Sequence, residues 1–385
     1  MTTLDDFAQE KLHRLSAAQL RRRITPTARG PGLEALRDGH NLVSFCDNDY
    51  LGLSHDPRVK AAAVEAIERS GAGAGASRLI TGDNPLYCAL ERRLAHLKGT
   101  ADALVFGSGY LANTGVIPAL MGPDDLIVID ALSHACLFAG ARLARSRCEI
   151  FAHNDVDAAA AIMQAHRAQT RRCMLITEGV FSMDGDLAPL SALAALARRW
   201  DAWLLTDDAH GLGVIGNGRG SAAAAGLTTE DVPLQMGTLS KAVGSYGGYL
   251  CASAPVIDLL RTRGRTLVYS TGLPPATLAA SEMALRIIHD EADTLCGRPV
   301  MLAQRFAAAL ALPTPETPIV PLIMGSPTRA LAGADHLLAE GYLVSAIRAP
   351  TVPVGTERLR LTFSAAHTEA QVDGLIEAVR PLLTP

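Results

Sequence analysis

From about residue 100, short apolar runs alternate with alanine-rich stretches, and this alternation limits the possible fold more than any other feature. Continuous apolar strands separated by helices are typical of a mostly parallel sheet with helices on both faces. In such sheets, ligands bind just beyond the carboxyl ends of the strands, so functional side chains are expected there. The predicted strands are DALVFGS, DLIVID, CEIFAHN, CMLITEG, AWLLTDDA, LQMGTLS and GYLCAS.

The alternation stops near residue 275, where the long predicted helix PPATLAASEMALRIIHDEAD leads into a smaller α+β part. A chain of 385 residues is long for one core, which favours two lobes. An N-terminal amphipathic helix is predicted over residues 4–23. The smaller part has strands near PIVPLIMG, YLVSAI and RLRLTFS, and helices near 327–340 and 368–382. We therefore predict an N-terminal segment (1–45), a large ligand-binding domain (46–287) and a small C-terminal domain (288–385).

Charge and cysteine content exclude several classes of protein. The formal net charge is -4 and no basic run is longer than residues 21–23, which argues against a nucleic-acid partner. The seven cysteines never form a Cys-x-x-Cys pair, which argues against a disulfide framework and against a zinc site. The N-terminus lacks the apolar core of a signal peptide, and no apolar run is long enough to span a bilayer. These features predict a cytoplasmic protein without a membrane or metal partner.

Polar residues follow five of the predicted strands directly. Because the carboxyl ends of parallel strands meet at one edge of a sheet, we expect these side chains to lie together and form a site. The strand-end residues are Gly109 and Tyr110, Ser133 and His134, Ser182 and Asp184, Asp207, Asp208 and His210, and finally Thr238, Ser240 and Lys241.

Lys241 lies in GTLSKAVGSYGGYL, a run of small residues without another charge. One interpretation is a surface lysine in a mobile glycine-rich loop. Another is a Schiff-base lysine, because burial lowers the pKa of an amine and small neighbours let a planar aldehyde approach it. A phosphate loop of the Gly-x-x-x-x-Gly-Lys-Ser/Thr type is excluded, because that order is absent.

Asp207 ends an apolar run, so burial is expected. It could cap a helix, be satisfied by backbone N–H groups, or bind magnesium. A buried carboxylate also suits a cationic partner, and the protonated pyridine nitrogen of pyridoxal phosphate (PLP) is such a partner. His210 and His134 would then contact the same ring, although each could equally be a structural histidine. Gly109 opens a predicted helix, whose N-terminus would favour a phosphate.

The glycine-rich segment GAGAGAS, residues 71–77, does not indicate a dinucleotide site. It follows a helix, and no strand–turn–helix surrounds it. Its glycines instead favour close approach of two backbones.

The order of motifs resembles that of the α-oxoamine synthases, PLP enzymes of the aspartate-aminotransferase fold (fold type I). The resemblance covers nearly the whole chain and implies covalent attachment of PLP to Lys241 as an aldimine. The segments that carry it are NDYLGLS, GSGYLAN, LSHAC, TEGVFSMDGD, DDAHGLG, GTLSKAVGSYGG and RLRLTFSAAHT.

The resemblance also implies a role for each matching residue. Lys241, His134, Asp207 and His210 would be catalytic: Asp207 pairs with the pyridine nitrogen, His210 contacts the ring oxygen and His134 stacks on the ring. The remaining implied contacts are Gly109, Tyr110, Thr238 and Ser182 with the cofactor, and Arg21, Asn48, His134, Arg348 and Thr351 with substrates, Arg348 pairing with the amino-acid carboxylate.

Within the family, the segments LRRR, FAHND and AIRAPTVPVGTERLRLT resemble those of members that use L-alanine. This resemblance implies decarboxylative condensation of L-alanine with a pimeloyl thioester, carried on coenzyme A or a carrier protein. Ala349 departs from the family pattern, which has a second proline there. The resemblance further implies a homodimer with active sites at the subunit interface, to which GAGAGASR would contribute. The alternatives are a sister enzyme that uses glycine and an acetyl thioester, or a non-catalytic PLP-binding regulatory module.

Overall fold

The computed structural model describes residues 2–383 and begins with a helix and three short strands. These elements are α1 (Leu4–Ala17), β1 (Ala28–Arg29), β2 (Glu34–Arg37) and β3 (His40–Ser44). Helix α1 is shorter than predicted because the chain leaves helical geometry just after it, with a φ of 57° at Gln19. None of its residues is buried.

Two helices precede the central sheet, α2 (Pro57–Ser70) and α3 (Pro85–Lys98). Each begins with a proline, preceded by a side chain that accepts a backbone hydrogen bond: Asp56 from Arg58 N at 2.8 Å and Asn84 from Leu86 N at 3.0 Å. Such caps satisfy N–H groups that lack an intrahelical partner, and therefore fix where the helices begin.

Seven strands form the central sheet in the order β4-β10-β9-β8-β7-β5-β6. All run parallel except β10, which pairs antiparallel with both of its neighbours. The strands are β4 (Asp102–Phe106), β5 (Leu126–Asp130), β6 (Arg147–Phe151), β7 (Cys173–Glu178), β8 (Trp203–Asp207), β9 (Leu234–Thr238) and β10 (Gly248–Ala252).

Helices cover both faces of this sheet, which confirms the predicted fold class. Helices α4, α5, α9 and α10 pack on one face, and α3, α6, α7 and α11 pack on the other. The bounds are α4 (Gly109–Leu120), α5 (Ala135–Ala144), α6 (Val156–His166), α7 (Leu190–Arg199), α8 (Ser221–Ala224), α9 (Ala254–Arg263), α10 (Arg265–Val268) and α11 (Pro275–Asp290).

The C-terminal part packs three helices on a sheet of order β11-β14-β13. Its elements are α12 (Ala292–Leu295), α13 (Arg298–Ala309), β11 (Ile319–Ile323), α14 (Pro327–Ala339), β12 (Tyr342–Leu343), β13 (Ser345–Ile347), β14 (Arg358–Thr362) and α15 (Glu369–Leu383). No helix within residues 2–383 is long and apolar enough to cross a bilayer.

The segment YLVSAI was predicted as one strand but forms two, because its ends pair with different sheets. Leu343 of β12 lies opposite Ser44 of β3, whereas Ser345 of β13 lies opposite Arg360 of β14. The strands of the N-terminal segment therefore join the C-terminal part. Helix α11 continues across residue 287, the predicted boundary between the two domains. The division at residues 45 and 287 stays a prediction.

Candidate active site

The carboxyl ends of the parallel strands surround a cavity of about 220 Å³, which we call the strand-end cavity. Seven of the predicted site residues line it: Gly109, Tyr110, His134, Asp207, His210, Thr238 and Lys241. Ser108, Cys136, Glu178, Ala209, Met236 and Ser240 complete the lining. Topology places them together, because each follows or ends a neighbouring strand of one sheet.

Lys241 and His210 are in direct contact at the floor of this cavity. The Lys241 Nζ lies 2.7 Å from His210 Nε2, and the other ring nitrogen, Nδ1, lies 2.7 Å from the Tyr50 hydroxyl. Tyr50 is fully buried and was not predicted as a site residue. Its hydroxyl fixes the orientation of the imidazole, as the partner of a second ring nitrogen commonly does.

Burial lowers the pKa of the Lys241 amine to about 8, although the nearby carboxylates of Asp207 and Glu178 oppose this shift. Burial together with the Lys241 charge also holds the pKa of His210 well below its ordinary value. The amine is therefore partly unprotonated near neutral pH, and the imidazole next to it is neutral. A lysine in this state can act as a nucleophile and as a base.

Asp207, at the end of β8, is only 4% exposed. Its Oδ2 accepts a 2.8 Å hydrogen bond from Asn113 Nδ2 of α4, and its Oδ1 accepts one of 3.1 Å from Ala209 N. In the described part of the chain, no cationic side chain forms an ion pair with it. A buried carboxylate that lacks a cation suits a ligand that brings one.

Glu178 is a second buried carboxylate in the cavity, and the sequence analysis did not single it out. Its Oε1 is buried without a hydrogen-bond partner in the described structure. Burial, and then the charge of Asp207, raises the pKa of Glu178 to about 8. Because Glu178 ends β7 as Asp207 ends β8, the strand-end rule would have found it.

The N-terminus of α4 lies against the same cavity. Ser108 caps the helix by accepting a 3.1 Å hydrogen bond from Leu111 N, and the first N–H groups, including that of Gly109, lack intrahelical partners. Gly248 lets the strand and helix approach, since a Cβ there would lie 2.4 Å from the Ser108 carbonyl oxygen. A helix N-terminus presented in this way is a site for phosphate.

A larger cavity of about 830 Å³ adjoins the first and shares His134 with it; we call it the long cavity. Apolar side chains make up most of its lining. Of the remaining predicted residues, Ser133, Ser182, Asp184 and Thr351 line it. Arg22 lines it as well and donates a 3.0 Å hydrogen bond to Thr351 Oγ1, whereas the predicted Arg21 lines neither of the two cavities.

Arg348 and Asn48 lie apart from each other. Arg348 donates to the Gln19 carbonyl and lines an arginine-rich cleft next to the long cavity. Asn48 Oδ1 accepts 3.2 Å hydrogen bonds from Tyr50 and from Arg360. Arg360 was not predicted as a site residue, yet its guanidinium also reaches the Tyr50 hydroxyl at 3.3 Å. No carboxylate within residues 2–383 forms an ion pair with Arg360, so this buried cation can accept an anionic ligand.

Asp208, directly after Asp207, points away from the cavity. Its Oδ2 forms a 2.6 Å ion pair with Lys98 Nζ at the end of α3, and both side chains are 1% exposed. Ser221 N donates to the same carboxylate at 3.1 Å. Asp208 is therefore fully used in joining α3 to the loop after β8.

His153, in the FAHND segment, lies between two carboxylates outside both cavities. Its Nδ1 is 3.0 Å from Asp130 Oδ1, and its Nε2 is 2.7 Å from Asp186 Oδ2. Partial burial disfavours the charged ring, but the hydrogen bonds and charges of these two acids outweigh it and raise the pKa of His153 to about 10. His153 is a cation near neutral pH.

We expect the stability that His153 contributes to be greatest below pH 6.5 and to be lost as the pH rises through about 10. Between these values the folded chain keeps a proton that the unfolded chain has released, so stability falls with rising pH. Asp130 and Asp186 are the titratable groups facing the ring. The measurement is the midpoint of thermal unfolding of wild type and His153→Gln at roughly pH 6, 8 and 10. A difference that does not shrink would contradict this assignment.

The chain is similar to known proteins over almost its whole length. The family model for aminotransferase class I and II matches residues 40–379. An 8-amino-7-oxononanoate synthase of Methylorubrum extorquens is 58% identical, covering 98% of this chain and 95% of the relative. One from Methylocella silvestris is 58% identical, covering 91% and 99%. Serine palmitoyltransferase from S. paucimobilis, solved with a bound PLP-myriocin aldimine, is 28% identical with a TM-score of 0.89, covering 98% and 96%.

These matches establish that the chain belongs to the aminotransferase class I and II family. Within that family, the curated relatives to which it is similar at this level are 8-amino-7-oxononanoate synthases. The predicted family resemblance is thereby confirmed.

Proposed function

We propose that this chain is a PLP-dependent acyltransferase that condenses L-alanine with a pimeloyl thioester, giving 8-amino-7-oxononanoate, carbon dioxide and free thiol in biotin biosynthesis. The observation that carries the proposal is the junction of two cavities at His134. One holds a buried amine beside a carboxylate that lacks a cation, and the other is larger, about 830 Å³, and mostly apolar. The similarity to 8-amino-7-oxononanoate synthases supports it.

The strand-end cavity fits PLP on three independent points. Lys241 offers an amine for the aldehyde, Asp207 offers a buried carboxylate for a protonated ring nitrogen, and the N-terminus of α4 at Gly109 offers free N–H groups for the phosphate. Thr238 Oγ1 and Ser240 Oγ, which lie 2.7 Å apart, line the same cavity. When bound, PLP supplies an electron sink that stabilises negative charge on the amino-acid Cα.

The side chains around Lys241 suit proton transfer at Cα of alanine. With its pKa lowered to about 8, the Lys241 amine is unprotonated in a minor but substantial fraction of molecules near neutral pH, far more than an ordinary lysine, and that fraction can accept a proton directly. His210 keeps this amine in place through the 2.7 Å contact, and Tyr50 in turn holds His210. His134, shared by both cavities, lies where the two substrates would meet.

Two arginines are candidates for binding the carboxylate of alanine. Arg348, the residue implied by the family resemblance, lines the arginine-rich cleft. Arg360 is buried, has no acidic partner among the described residues, and touches Tyr50, the partner of His210. A planar guanidinium binds a carboxylate through two parallel hydrogen bonds. We assign the alanine carboxylate to Arg360 and leave Arg348 for the acyl donor.

The long cavity suits the acyl chain. Its lining is mostly apolar and includes Arg22 and Thr351, which are hydrogen-bonded to each other. A pimeloyl group has an apolar methylene chain that ends in a free carboxylate, and apolar burial with one paired charge matches this pattern. Ala349 and Pro350 both line the cavity, so the departure at Ala349 changes a wall of the acyl site.

The test is product identification with the purified, PLP-loaded protein. L-alanine with pimeloyl-coenzyme A, and separately with a pimeloyl carrier protein, should give 8-amino-7-oxononanoate. Glycine with acetyl-coenzyme A is the competing pair. Preference for glycine and the acetyl donor would assign the chain to the sister reaction. PLP binding without turnover of either pair would support a regulatory module.

The assembly and location belong to the same proposal. We infer a cytoplasmic homodimer with the GAGAGASR segment (71–78) at its interface. The exposure of Leu79 and Ile80, which directly follow that segment, supports an interface there. Burial of such side chains favours association. Sedimentation analysis should show a dimer for the wild type, and Ile80→Glu should shift the chain towards monomer.

For Tyr50→Phe we expect a loss of about 10-fold in kcat/KM for L-alanine, because His210 Nδ1 loses its buried hydrogen-bond partner. Steady-state kinetics at saturating pimeloyl thioester measure this. Tyr342→Phe in the C-terminal part is the control and should behave as wild type, since Tyr342 packs on Phe45 away from both cavities. Equal effects of the two substitutions would contradict a role for the Tyr50 hydroxyl.

A further inference from the structure

The long cavity has two facing walls from different parts of the chain. Ala131, Leu132, Ser133 and His134, together the 131–134 wall, follow β5. Ser182, Met183 and Asp184, together the 182–184 wall, lie in the turn after β7. The width of the cavity therefore depends on how these two segments are held relative to each other.

An aspartate lies at the base of each wall and holds it, Asp130 through its carboxylate and Asp186 through its backbone carbonyl. Asp130 accepts a 2.8 Å hydrogen bond from Leu132 N, which fixes the start of the 131–134 wall. Asp186 closes the turn of the other wall, because its carbonyl accepts a 3.0 Å hydrogen bond from Phe181 N. The two acids thus mark where each wall leaves the sheet.

His153 joins these two anchors. Its ring nitrogens contact Asp130 Oδ1 at 3.0 Å and Asp186 Oδ2 at 2.7 Å, and its ring packs edge-on against Phe181 with centroids 4.4 Å apart. Asn154 repeats the connection, donating from its backbone to Asp130 Oδ2 and from its side chain to Asp186 Oδ2, each at 2.8 Å. Both walls are therefore tied to one dipeptide outside the cavity.

The negative charges of Asp130 and Asp186 favour a positively charged His153 ring between them. Asp130 is fully buried, whereas the Asp186 side chain is 38% exposed with one buried oxygen that lacks a partner in the described structure, so a neutral ring would leave chiefly the Asp130 charge poorly compensated. A doubly protonated imidazole donates to both carboxylates, and such charge-assisted hydrogen bonds are the strong ones.

The 182–184 wall also reaches the strand-end cavity. The Ser182 carbonyl accepts a 2.5 Å hydrogen bond from Arg360 Nε, and Arg360 contacts Tyr50, the partner of His210. On the far side of the turn, Arg358 pairs with Asp184. Arg360 is also hydrogen-bonded to Asn48 and to the Tyr50 hydroxyl, so its position does not depend on this wall alone.

We propose that His153 is a positioning residue that sets the spacing of the two walls of the long cavity, and with it the affinity for the acyl thioester. This inference rests on the proposed function for its kinetic readout. His153 lines neither cavity itself, so it acts on the long cavity through Asp130, Asp186 and its ring contact with Phe181, and it has no contact with the cofactor site.

The test compares His153→Gln with wild type as PLP-loaded proteins. KM for pimeloyl-coenzyme A should rise roughly 10-fold, as expected when a reacting group is slightly misplaced, while kcat and KM for L-alanine change less than about 2-fold. PLP affinity should be unchanged. Asp186→Asn should give the same pattern, and the double variant should be no worse than either single one, because both remove one connection.

His166→Gln is the matched control. The His166 side chain is 25% exposed, as is that of His153, and it also lies beside a carboxylate, 4.0 Å from Glu149, but on the outer surface. It should behave as wild type. Hydrogen exchange of residues 181–187 and 131–134, a readout independent of turnover, should accelerate in His153→Gln and not in His166→Gln.

Three outcomes would overturn the proposal: an unchanged KM with unchanged exchange, a fall in kcat alone, or multiplicative losses in the double variant. If His153→Gln does not fold, Asp186→Asn carries the same comparison. If the wild type does not accept pimeloyl-coenzyme A, the proposed function fails, and the exchange experiment still decides whether His153 holds the walls.

Discussion

Replacing Lys241 with alanine should abolish turnover, with a loss of at least ~10³-fold, and should remove the visible absorption band of the bound cofactor. The reason is that one amine serves twice, as the covalent anchor and as the base at Cα. Its contact with His210 and its pKa of about 8 prepare it for both. Absorption spectra and product formation from L-alanine and a pimeloyl thioester measure the two losses separately.

Lys60→Ala provides the control, because Lys60 lies exposed on α2 and far along the chain from the strand ends. It should keep both the absorption band and the activity. An intact band in Lys241→Ala would remove Lys241 from its proposed role. A lost band with full activity would separate the anchor from the base and contradict the dual assignment.

Replacing Asp207 with asparagine should lower kcat by at least ~10²-fold, as expected when one key electrostatic group in a buried site is removed. Asparagine keeps the shape of the side chain but not the negative charge that a protonated ring nitrogen requires. Asn113 and Ala209 donate to different carboxylate oxygens, so asparagine keeps one of these two hydrogen bonds, and thermal unfolding of the variant checks that the fold is preserved. Pre-steady-state measurement of Cα-proton removal from deuterated alanine tests the step directly.

Asp258→Asn, on the exposed surface of α9, is the matched charge removal and should leave the kinetics unchanged. Near-normal proton removal in Asp207→Asn would refute the pairing with a ring nitrogen. A lower melting temperature with normal kcat would instead make Asp207 a structural acid, one of the alternatives that its sequence position left open.

The sequence was sufficient for the residues that follow parallel strands. Lys241, Asp207, His210, His134 and Gly109 are far apart in the chain, yet one topological rule predicts their meeting, because every parallel strand delivers its end to the same edge. The rule needs only the order of strands and helices, and the apolar runs reveal that order clearly.

Residues delivered from elsewhere could not be found in this way. Tyr50 comes from a loop before the central sheet, and Arg360 from β14 of another sheet, 310 positions away in the chain. Asn113 reaches Asp207 from within a helix, where its position shows no special spacing. Their contacts depend on how separate layers pack, which local pattern does not encode. For the same reason, the sequence could not show that Arg22, and not the predicted Arg21, lines the long cavity. The direction of the backbone after α1 determines which of the two side chains faces inward.

Two adjacent acids, Asp207 at the end of β8 and Asp208 directly after it, also fix the register of that strand. Successive side chains of an extended chain point in opposite directions, so Asp207 faces the site while Asp208 meets Lys98 on the other side. A one-residue slip in either direction would leave one of the two places without a carboxylate, because Thr206 and Ala209 flank the pair. The ion pair between Lys98 and Asp208 disfavours that slip whether or not a ligand is bound. A purely structural contact therefore secures the register of β8 on which the chemistry depends.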